Sequence, residues 1–295
     1  MIMSFYVVSG LYSFLANLAI GLFVFFKNPR NSVNVLFALF SLMVSGWSVG
    51  TFLENVTADK QTALWVLRAN YVFAVWLPSI YVHFVYAWTG TATKVDRIKL
   101  KAGYLASILF TPFVFSPWFI PRLQLIAHDK FFISFPGPLY YLFFLFFSAG
   151  MCEVLAHTIF RLNQYSGNQR TQIKYLTLAN AIAIFAGFEY FSRVFGLLKS
   201  PPLDDYILVI YLLVLAYAIV RHQLLDIQVI IKRTFIFSVI LTSALAAVSI
   251  LAQVIQWLIG RYFGLSESAS TIASAAVLVG TYGVLRIIGW LRRRR

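Results

Sequence analysis

The chain has 295 residues, of which 60% are hydrophobic, 18% are aromatic and only 12% are charged. Soluble domains carry about 25% charged residues, so this composition excludes a soluble protein. The formal net charge of +14 comes from basic residues that lie almost entirely between apolar runs. Membrane topology and anionic lipids account for that pattern, and we therefore exclude nucleic acid as a partner. The chain is predicted to be an all-α, polytopic protein of the lipid bilayer.

Nine apolar runs, each long enough to cross a hydrocarbon layer of about 30 Å, predict a bundle of about nine transmembrane helices. No basic residue precedes the first run, whereas Lys27 and Arg30 follow it, which is the reverse of the order in a cleaved signal peptide. We therefore expect a retained first helix whose amino terminus lies outside. The predicted spans are residues 2–26, 35–53, 63–89, 102–120, 139–160, 175–197, 206–220, 234–259 and 271–290.

The distribution of lysine and arginine predicts the orientation of these spans. If Arg286, near the end of the ninth predicted span, is counted with the carboxyl-terminal tail, 17 of the 24 basic residues lie in the odd-numbered loops and the tail. Five lie in the alternate loops, and Arg68 and Arg193 lie inside spans. Basic residues are retained on the cytoplasmic side during insertion, so the odd-numbered loops are predicted to be cytoplasmic. Nine spans then place the carboxyl terminus in the cytoplasm.

The predicted outer loops are short. The longest, residues 121–138, is rich in aromatic residues and proline, which is typical of a segment lying in the membrane interface. Neither side of the membrane has a segment long enough for a separate ligand-binding or catalytic domain. The sequence also contains no H-E-x-x-H helix, G-x-S-x-G elbow, P-loop or glycine-rich nucleotide loop, so we predict neither an enzyme nor a cofactor.

Ionisable side chains inside spans point to function, because each costs several kcal/mol in hydrocarbon unless it is paired or faces water. On the outer side, Glu189 and Arg193 are four residues apart on one helix face, and Arg68 lies at comparable depth on the third span. Their surplus of one positive charge predicts a pocket for an anionic ligand, lined by Tyr71, Tyr190 and Phe191. Alternatively, Glu189 pairs with one arginine to hold two helices together while the other arginine reaches the interface.

On the inner side, Glu153 and His157 are four residues apart, and His83 lies at a similar distance from the cytoplasmic end of the third span. Three such groups are compatible with a zinc site, with a proton-sensitive switch, or with a hydrogen-bonded polar network that fixes the helix register. We assign them to a switch or polar network and predict no metal.

Two adjacent stretches near the seventh span are distinctive: Tyr217–Ile227 (YAIVRHQLLDI) and Val229–Thr234 (VIIKRT). They resemble the junction that follows the seventh span in the N-terminal 7TM region of bacterial histidine kinases. Supporting matches, individually weaker, are Asn17, Lys27–Arg30, Asn34, Phe37, Trp47, Pro78, His83, Phe84 and Gln172–Leu176.

The resemblance implies a multi-pass protein of the bacterial inner membrane. The resemblance covers residues 1–233, which it identifies as a seven-span sensor region with a cytoplasmic junction. The two further predicted spans, within 234–295, are similar to the extra pair that some members place before the kinase. The resemblance also implies a homodimer. Signal transmission would then fall to the junction residues Arg221, His222, Leu225 and Asp226, although this inner loop could equally be a simple connector.

The sequence departs from the family pattern after the last span. Members continue into a helix with a phosphorylatable histidine and an ATP-binding domain, whereas this sequence ends at Arg292–Arg295. We expect either part of a kinase or a sensor that acts on a separate cytoplasmic kinase or response partner.

We predict a membrane sensor that detects a small anionic or lipid-like ligand or a short peptide. The alternative is a secondary transporter or an ion or proton channel with Glu153 and His157 on its path, but the sequence shows no internal repeat. An intramembrane enzyme would need a nucleophile or metal constellation that the sequence does not show.

Overall fold

The computed structural model describes residues 5–57, 59–126 and 131–198, together with nine single positions between Asp204 and Ala218. All of them belong to one compact unit, Met1–Thr242. The predicted eighth and ninth spans and the junction residues Arg221, His222, Leu225 and Asp226 lie outside the described residues.

Six helices correspond to the first six predicted spans. The helices are α1 (Phe5–Lys27), α2 (Ser32–Val56), α3 (Lys60–Thr89), α4 (Lys94–Phe113), α5 (Pro138–Phe160) and α6 (Gly167–Val194). A short 3-10 helix, Leu162–Gln164, precedes α6, and the described positions from Asp204 to Ala218 are also helical.

The largest boundary differences concern α4 and α6, which begin at 94 and 167 where the apolar runs predicted 102 and 175. Both helices begin in polar sequence, which the hydropathy of the apolar runs does not mark. In α4, Thr93 and Asp96 form a reciprocal capping box, which satisfies two backbone N–H groups at the helix start. Helix α4 ends at Phe113, before Pro117, and not at 120.

The loop 121–138, which the sequence predicts to lie outside, contains a β-hairpin, and we call the end of the bundle next to it the outer end. Strands β1 (Arg122–Ile126) and β2 (Phe131–Phe135) pair antiparallel, with Arg122 opposite Phe135. Its side chains Leu123 and Ile133 are buried in a hydrophobic cluster with residues of α3, α5 and α6, so the hairpin packs against the helices. The apolar residues that indicated an interfacial loop therefore cover the outer end of the bundle.

Within the part of the chain that the structure describes, three segments are long and apolar enough to cross a membrane: Ser32–Glu54, Lys60–Thr89 and Pro138–Gln164. A shorter apolar segment, Ser13–Lys27, belongs to α1. The fold is thus a mostly helical bundle with the apolar helices of a membrane protein.

Helix α3 is the centre of this bundle, because it contacts α2, α4 and α5. Two glycines of α2 permit its close approach: a Cβ on Gly46 would lie 2.4 Å from the Phe73 ring, and one on Gly50 would lie 2.1 Å from Asn70 Oδ1. On the opposite side, a Cβ on Gly150 of α5 would lie 2.6 Å from Pro78 Cβ. Small residues let membrane helices pack backbone to backbone in this way.

Candidate functional site

The outer half of the bundle is organised around the Tyr71 hydroxyl, which is fully buried in α3. This oxygen lies 2.8 Å from Ser134 Oγ, 2.7 Å from Tyr140 Oη and 2.8 Å from Tyr190 Oη. The four side chains come from α3, β2, α5 and α6. We call them the hydroxyl cluster, and its shared hydrogen bonds join the hairpin to three helices.

Arg68 lies one turn further out on α3 and holds the segment before the hairpin. Its Nε and Nη2 atoms donate to the Ile120 carbonyl at 3.2 and 2.7 Å, and its guanidinium lies 5.1 Å from the centre of the Trp65 ring. The side chain is buried. The sequence predicted that Arg68 shares one charged pocket with Glu189 and Arg193. In the structure, Arg68 bonds to a backbone carbonyl.

Glu189 and Arg193 do pair, as their spacing on α6 predicted. Arg193 Nε and Nη2 donate to the two carboxylate oxygens of Glu189, each at 2.9 Å. Arg193 Nη2 also donates to Asp204, whose backbone N–H donates to Glu189 Oε2 at 3.1 Å. The three residues form what we call the outer clamp, and it links the end of α6 to Asp204, the first of the described helical positions that follow.

The formal charges of the outer clamp sum to −1, because Asp204 adds a second carboxylate. The sequence argument counted a surplus positive charge and did not include Asp204. Pro201 and Pro202 stand between that residue and α6 in the sequence, so helical spacing could not place it beside Arg193.

A cavity lies next to the hydroxyl cluster, between α2, α3, α5, α6 and the helical positions Asp204, Leu208 and Tyr211. Its volume, for the centres of water-sized spheres, is about 110 Å³. Since one water occupies about 10–15 Å³ on this measure, the cavity has room for a small organic molecule. Tyr190, a predicted pocket residue, lines it together with Tyr71, while Arg68, Glu189 and Arg193 are not among its lining residues.

The inner half contains a second polar group of residues around Glu153. Its carboxylate accepts from Tyr86 Oη and from Lys99 Nζ, both at 2.8 Å. Asp96 pairs with Arg161 at 3.0 Å, and Arg161 also donates to the Thr91 carbonyl. We call these residues, with His157, the inner network, and their two carboxylates and two cations balance in formal charge.

His157 lies in this network, whereas His83 forms its hydrogen bond elsewhere, to Tyr104. His157 Nε2 lies 3.1 Å from Thr89 Oγ1, and its ring lies 4.7 Å from that of Tyr86. His83 Nδ1 instead lies 2.9 Å from Tyr104 Oη on α4. The sequence placed all three residues at one depth, but depth alone does not decide which helix face a side chain occupies.

Asp96 takes the place beside Glu153 and His157 that the sequence suggested for His83. One ligand atom from each lies within 4.8 Å of the others, which is the spacing of a possible metal site. Both carboxylates already hold a cation, Lys99 or Arg161, so an ion would have to displace one of them. The arrangement fits a polar network better than a metal centre.

Asp96 lies in the first turn of α4, ahead of the predicted span 102–120. Burial acts to raise the pKa of its carboxyl, but hydrogen bonds from Thr93 and the positive charge of Arg161 outweigh this effect and lower the pKa. The T-x-x-D capping pattern was the sequence signal that could have identified Asp96. No comparable local signal marks Ser134 or Tyr140.

The chain belongs to the family described as the N-terminal 7TM region of histidine kinase, which matches residues 10–228. The resemblance inferred from the junction sequence is therefore confirmed. This region is the membrane sensor part of histidine kinases and not their catalytic domain. No match was found among the curated proteins or among the solved structures.

Proposed function

We propose that this chain is the input module of a bacterial signalling system, embedded in the inner membrane as a homodimer. It detects a small or lipid-like signal and passes the change to a cytoplasmic kinase, on the same polypeptide or on a separate partner. The observation that carries this proposal is the family match over residues 10–228. Nine spans with the amino terminus outside, arranged as a sensor region 1–233 and two further spans in 234–295, belong to the same proposal.

The outer clamp supplies a route for the signal. Arg193 contacts Glu189 on its own helix and Asp204 beyond the turn, so a movement of α6 is coupled to the segment that leads toward the cytoplasmic junction. A ligand that binds one helix arrangement better than another shifts the balance between them. In this proposal Arg68, Tyr190, Glu189 and Arg193 respond to the ligand, and Arg221, His222, Leu225 and Asp226 transmit the change.

The test measures the phosphorylation of response regulators in the native host, by phosphate-affinity electrophoresis. The chromosomal gene is left intact, deleted, or changed to Arg193→Lys, which keeps the charge but loses the two-pronged contact with Glu189. We expect the deletion to alter at least one regulator and Arg193→Lys to reproduce part of that change. Arg170→Lys, at an exposed position near the start of α6, is the matched control and should leave phosphorylation unchanged.

Membrane fractions must contain equal amounts of each variant. Unaltered phosphorylation of every regulator in the deletion strain would contradict the sensor proposal. A proton or solute flux in reconstituted vesicles that disappears with Glu153→Gln would instead support the transporter alternative.

A further inference from the structure

A second cavity lies at the end of the bundle opposite the hairpin, where the first turn of α2, the end of α3 and the start of α6 meet. We call it the inner cavity. Its volume, for the centres of water-sized spheres, is about 330 Å³, so it has room for a small ring-containing molecule. None of the ten lining residues that the structure describes is charged, and five carry a side-chain amide: Asn31, Asn34, Asn168, Gln169 and Gln172. Because an amide both donates and accepts hydrogen bonds, this lining suits a molecule that does both.

The Asn34 side chain leaves one hydrogen-bonding atom unused at this cavity. Asn34 is 3% exposed, and its Nδ2 donates to the Val24 carbonyl of α1 at 3.2 Å. That bond fixes the orientation of the amide, because only its nitrogen can donate to a carbonyl. The Asn34 Oδ1 accepts no hydrogen bond within the part of the chain that the structure describes, yet protein atoms do not enclose it fully, in contrast to Asn70 Oδ1 and Asn180 Oδ1. A donor on a bound molecule would supply the partner that this oxygen lacks.

The start of α6 supplies the complementary donor. Gln169 lies in the first turn of α6 at an exposed position, and its amide makes no hydrogen bond to any residue that the structure describes. Asn31 is already engaged, because its Oδ1 accepts from the Val33 backbone N–H at 2.9 Å and caps α2. The cavity therefore presents an acceptor on α2, Asn34 Oδ1, and a donor on α6, the Gln169 amide.

Apolar side chains shape the rest of the cavity and connect it to the inner network. Val33, Trp88 and Ile173 line it, so a flat ring can exchange water for contact with the Trp88 indole. The next residue, Thr89, also lines the cavity, and its Oγ1 lies 3.1 Å from His157 Nε2. A molecule bound here would contact α2, α3 and α6 beside the inner network.

We propose that the inner cavity binds an uncharged, planar molecule that carries an N–H donor beside an acceptor, as in an aromatic carboxamide or a heterocycle with the same pair of groups. The N–H group donates to Asn34 Oδ1, the acceptor receives an N–H of Gln169, and the ring lies against Trp88. This ligand class differs from the anion suggested by the basic residues of the outer side. Its role as a signal rests on the proposed sensor function, whereas its binding in the cavity does not.

Three probes of nearly the same shape test the assignment. In 4-fluorobenzamide the carbonyl carries an NH₂ group, in 4-fluoroacetophenone it carries a methyl group, and in 4-fluorobenzoate it carries a negatively charged oxygen. Each probe is titrated with the full chain in lipid nanodiscs, and binding is followed by the broadening of its fluorine NMR signal; empty nanodiscs correct for partition into lipid. We expect the amide to bind about 3- to 10-fold more tightly than the ketone, as one net hydrogen bond predicts. The carboxylate should also bind more weakly than the amide, because two acceptors would meet at Asn34.

Two variants assign this preference to the inner cavity. Asn34→Ala removes the unpartnered oxygen, so the amide and the ketone should bind equally, and retained binding of the ketone shows that the cavity is intact. Gln169→Trp fills the cavity from an exposed position and should abolish the binding of all three probes. Gln164→Trp, at an exposed position that does not line the cavity, is its control and should bind the probes like the unaltered chain.

Equal binding of the amide and the ketone to the unaltered chain would overturn the role of Asn34. Tightest binding of the carboxylate would overturn the ligand class and indicate an anion site. Binding that survives Gln169→Trp would overturn the site itself. The result is separable from the sensor test: binding as expected together with unaltered response-regulator phosphorylation in the deletion strain would contradict the function alone, and absent binding with intact signalling would contradict the site alone.

Discussion

The outer clamp and the inner network are both built from carboxylates and basic side chains, but they differ in burial. The side chains of Arg193 and Glu189 are 3% and 7% exposed, whereas Lys99 and Glu153 are 47% and 23% exposed. Desolvated charges interact strongly and tolerate no missing partner, while exposed pairs are screened by water and salt. The outer clamp is thus suited to fix a helix position. Within the inner network, the pair of Lys99 with Glu153 is suited to adjust with the solution conditions, whereas the pair of Asp96 with Arg161 is more buried, at 9% and 19% exposed.

Removing the basic member of the outer clamp gives the largest expected effect. Arg193→Leu leaves Glu189 and Asp204 as buried carboxylates without their cation, which is expected to cost about 3–5 kcal/mol of stability. The measurement is unfolding by a denaturing detergent in mixed micelles. Arg170→Leu, at an exposed position of α6, is the control and should change stability little; equal stability of both variants would contradict the stabilising role of the outer clamp.

The hydroxyl cluster provides the next test of the buried outer side. Tyr71→Phe removes the hydroxyl shared by Ser134, Tyr140 and Tyr190. Because these partners then lack a hydrogen bond in a buried site, the variant is expected to lose about 1–3 kcal/mol of stability. Amide hydrogen exchange should accelerate in β1 and β2, because the hairpin loses its bond to α3. Tyr141→Phe, at an exposed position of α5, is the control; a hairpin that exchanges equally in both variants would contradict the cluster's role.

The loss of stability at low pH that the inner network causes should be smaller than the losses expected for Arg193→Leu and Tyr71→Phe. The folded pKa of Asp96 is lowered, so its contribution to stability is complete above the ordinary value of 3.8 and is lost as the pH falls through the folded pKa. Asp96→Asn should flatten this acid limb of the unfolding curve. If Asp96→Asn loses as much stability at low pH as the unaltered chain, another titrating group must cause that loss.

The smallest effect is expected at the exposed ion pair of Lys99 with Glu153. Lys99→Met should change stability by about 0–1 kcal/mol, because the lysine is 47% exposed. The difference should vanish in high salt. Lys101→Met, an exposed lysine on the same helix, is the reference, and a large salt-insensitive loss for Lys99→Met would show that the inner network behaves like the outer clamp.

Local patterns in the sequence predicted the features that are determined by residues close together in the chain, namely helices and contacts within one helix. Hydropathy gave the first six helices, and four-residue spacing gave the contact of Glu189 with Arg193 and the shared face of Glu153 and His157. The hairpin was not predicted, because its aromatic residues are also typical of an interfacial loop.

Contacts between distant segments were beyond the same reasoning. Tyr71 bonds to residues 63, 69 and 119 positions away, and each of these hydroxyls lies in an otherwise apolar stretch. Asp96 and Asp204 were missed because they lie at or beyond the edges of apolar runs. The predicted charge of the candidate pocket changes from +1 to −1 for two reasons. Asp204 adds a carboxylate to Glu189 and Arg193, and Arg68, which the prediction counted, bonds instead to the Ile120 carbonyl.

The contact of Pro78 with Gly150 divides these two regions. There the backbones of α3 and α5 meet near the middle of both helices, and no side chain larger than hydrogen fits between them at position 150. Proline also removes one backbone hydrogen bond from α3 at this level, so the helix bends more easily there. A bend at this level lets one half of α3 tilt against α5, while the close contact with Gly150 holds the two helices together. The two halves of α3 are therefore expected to change direction relative to each other at this pivot, and not to slide along α5.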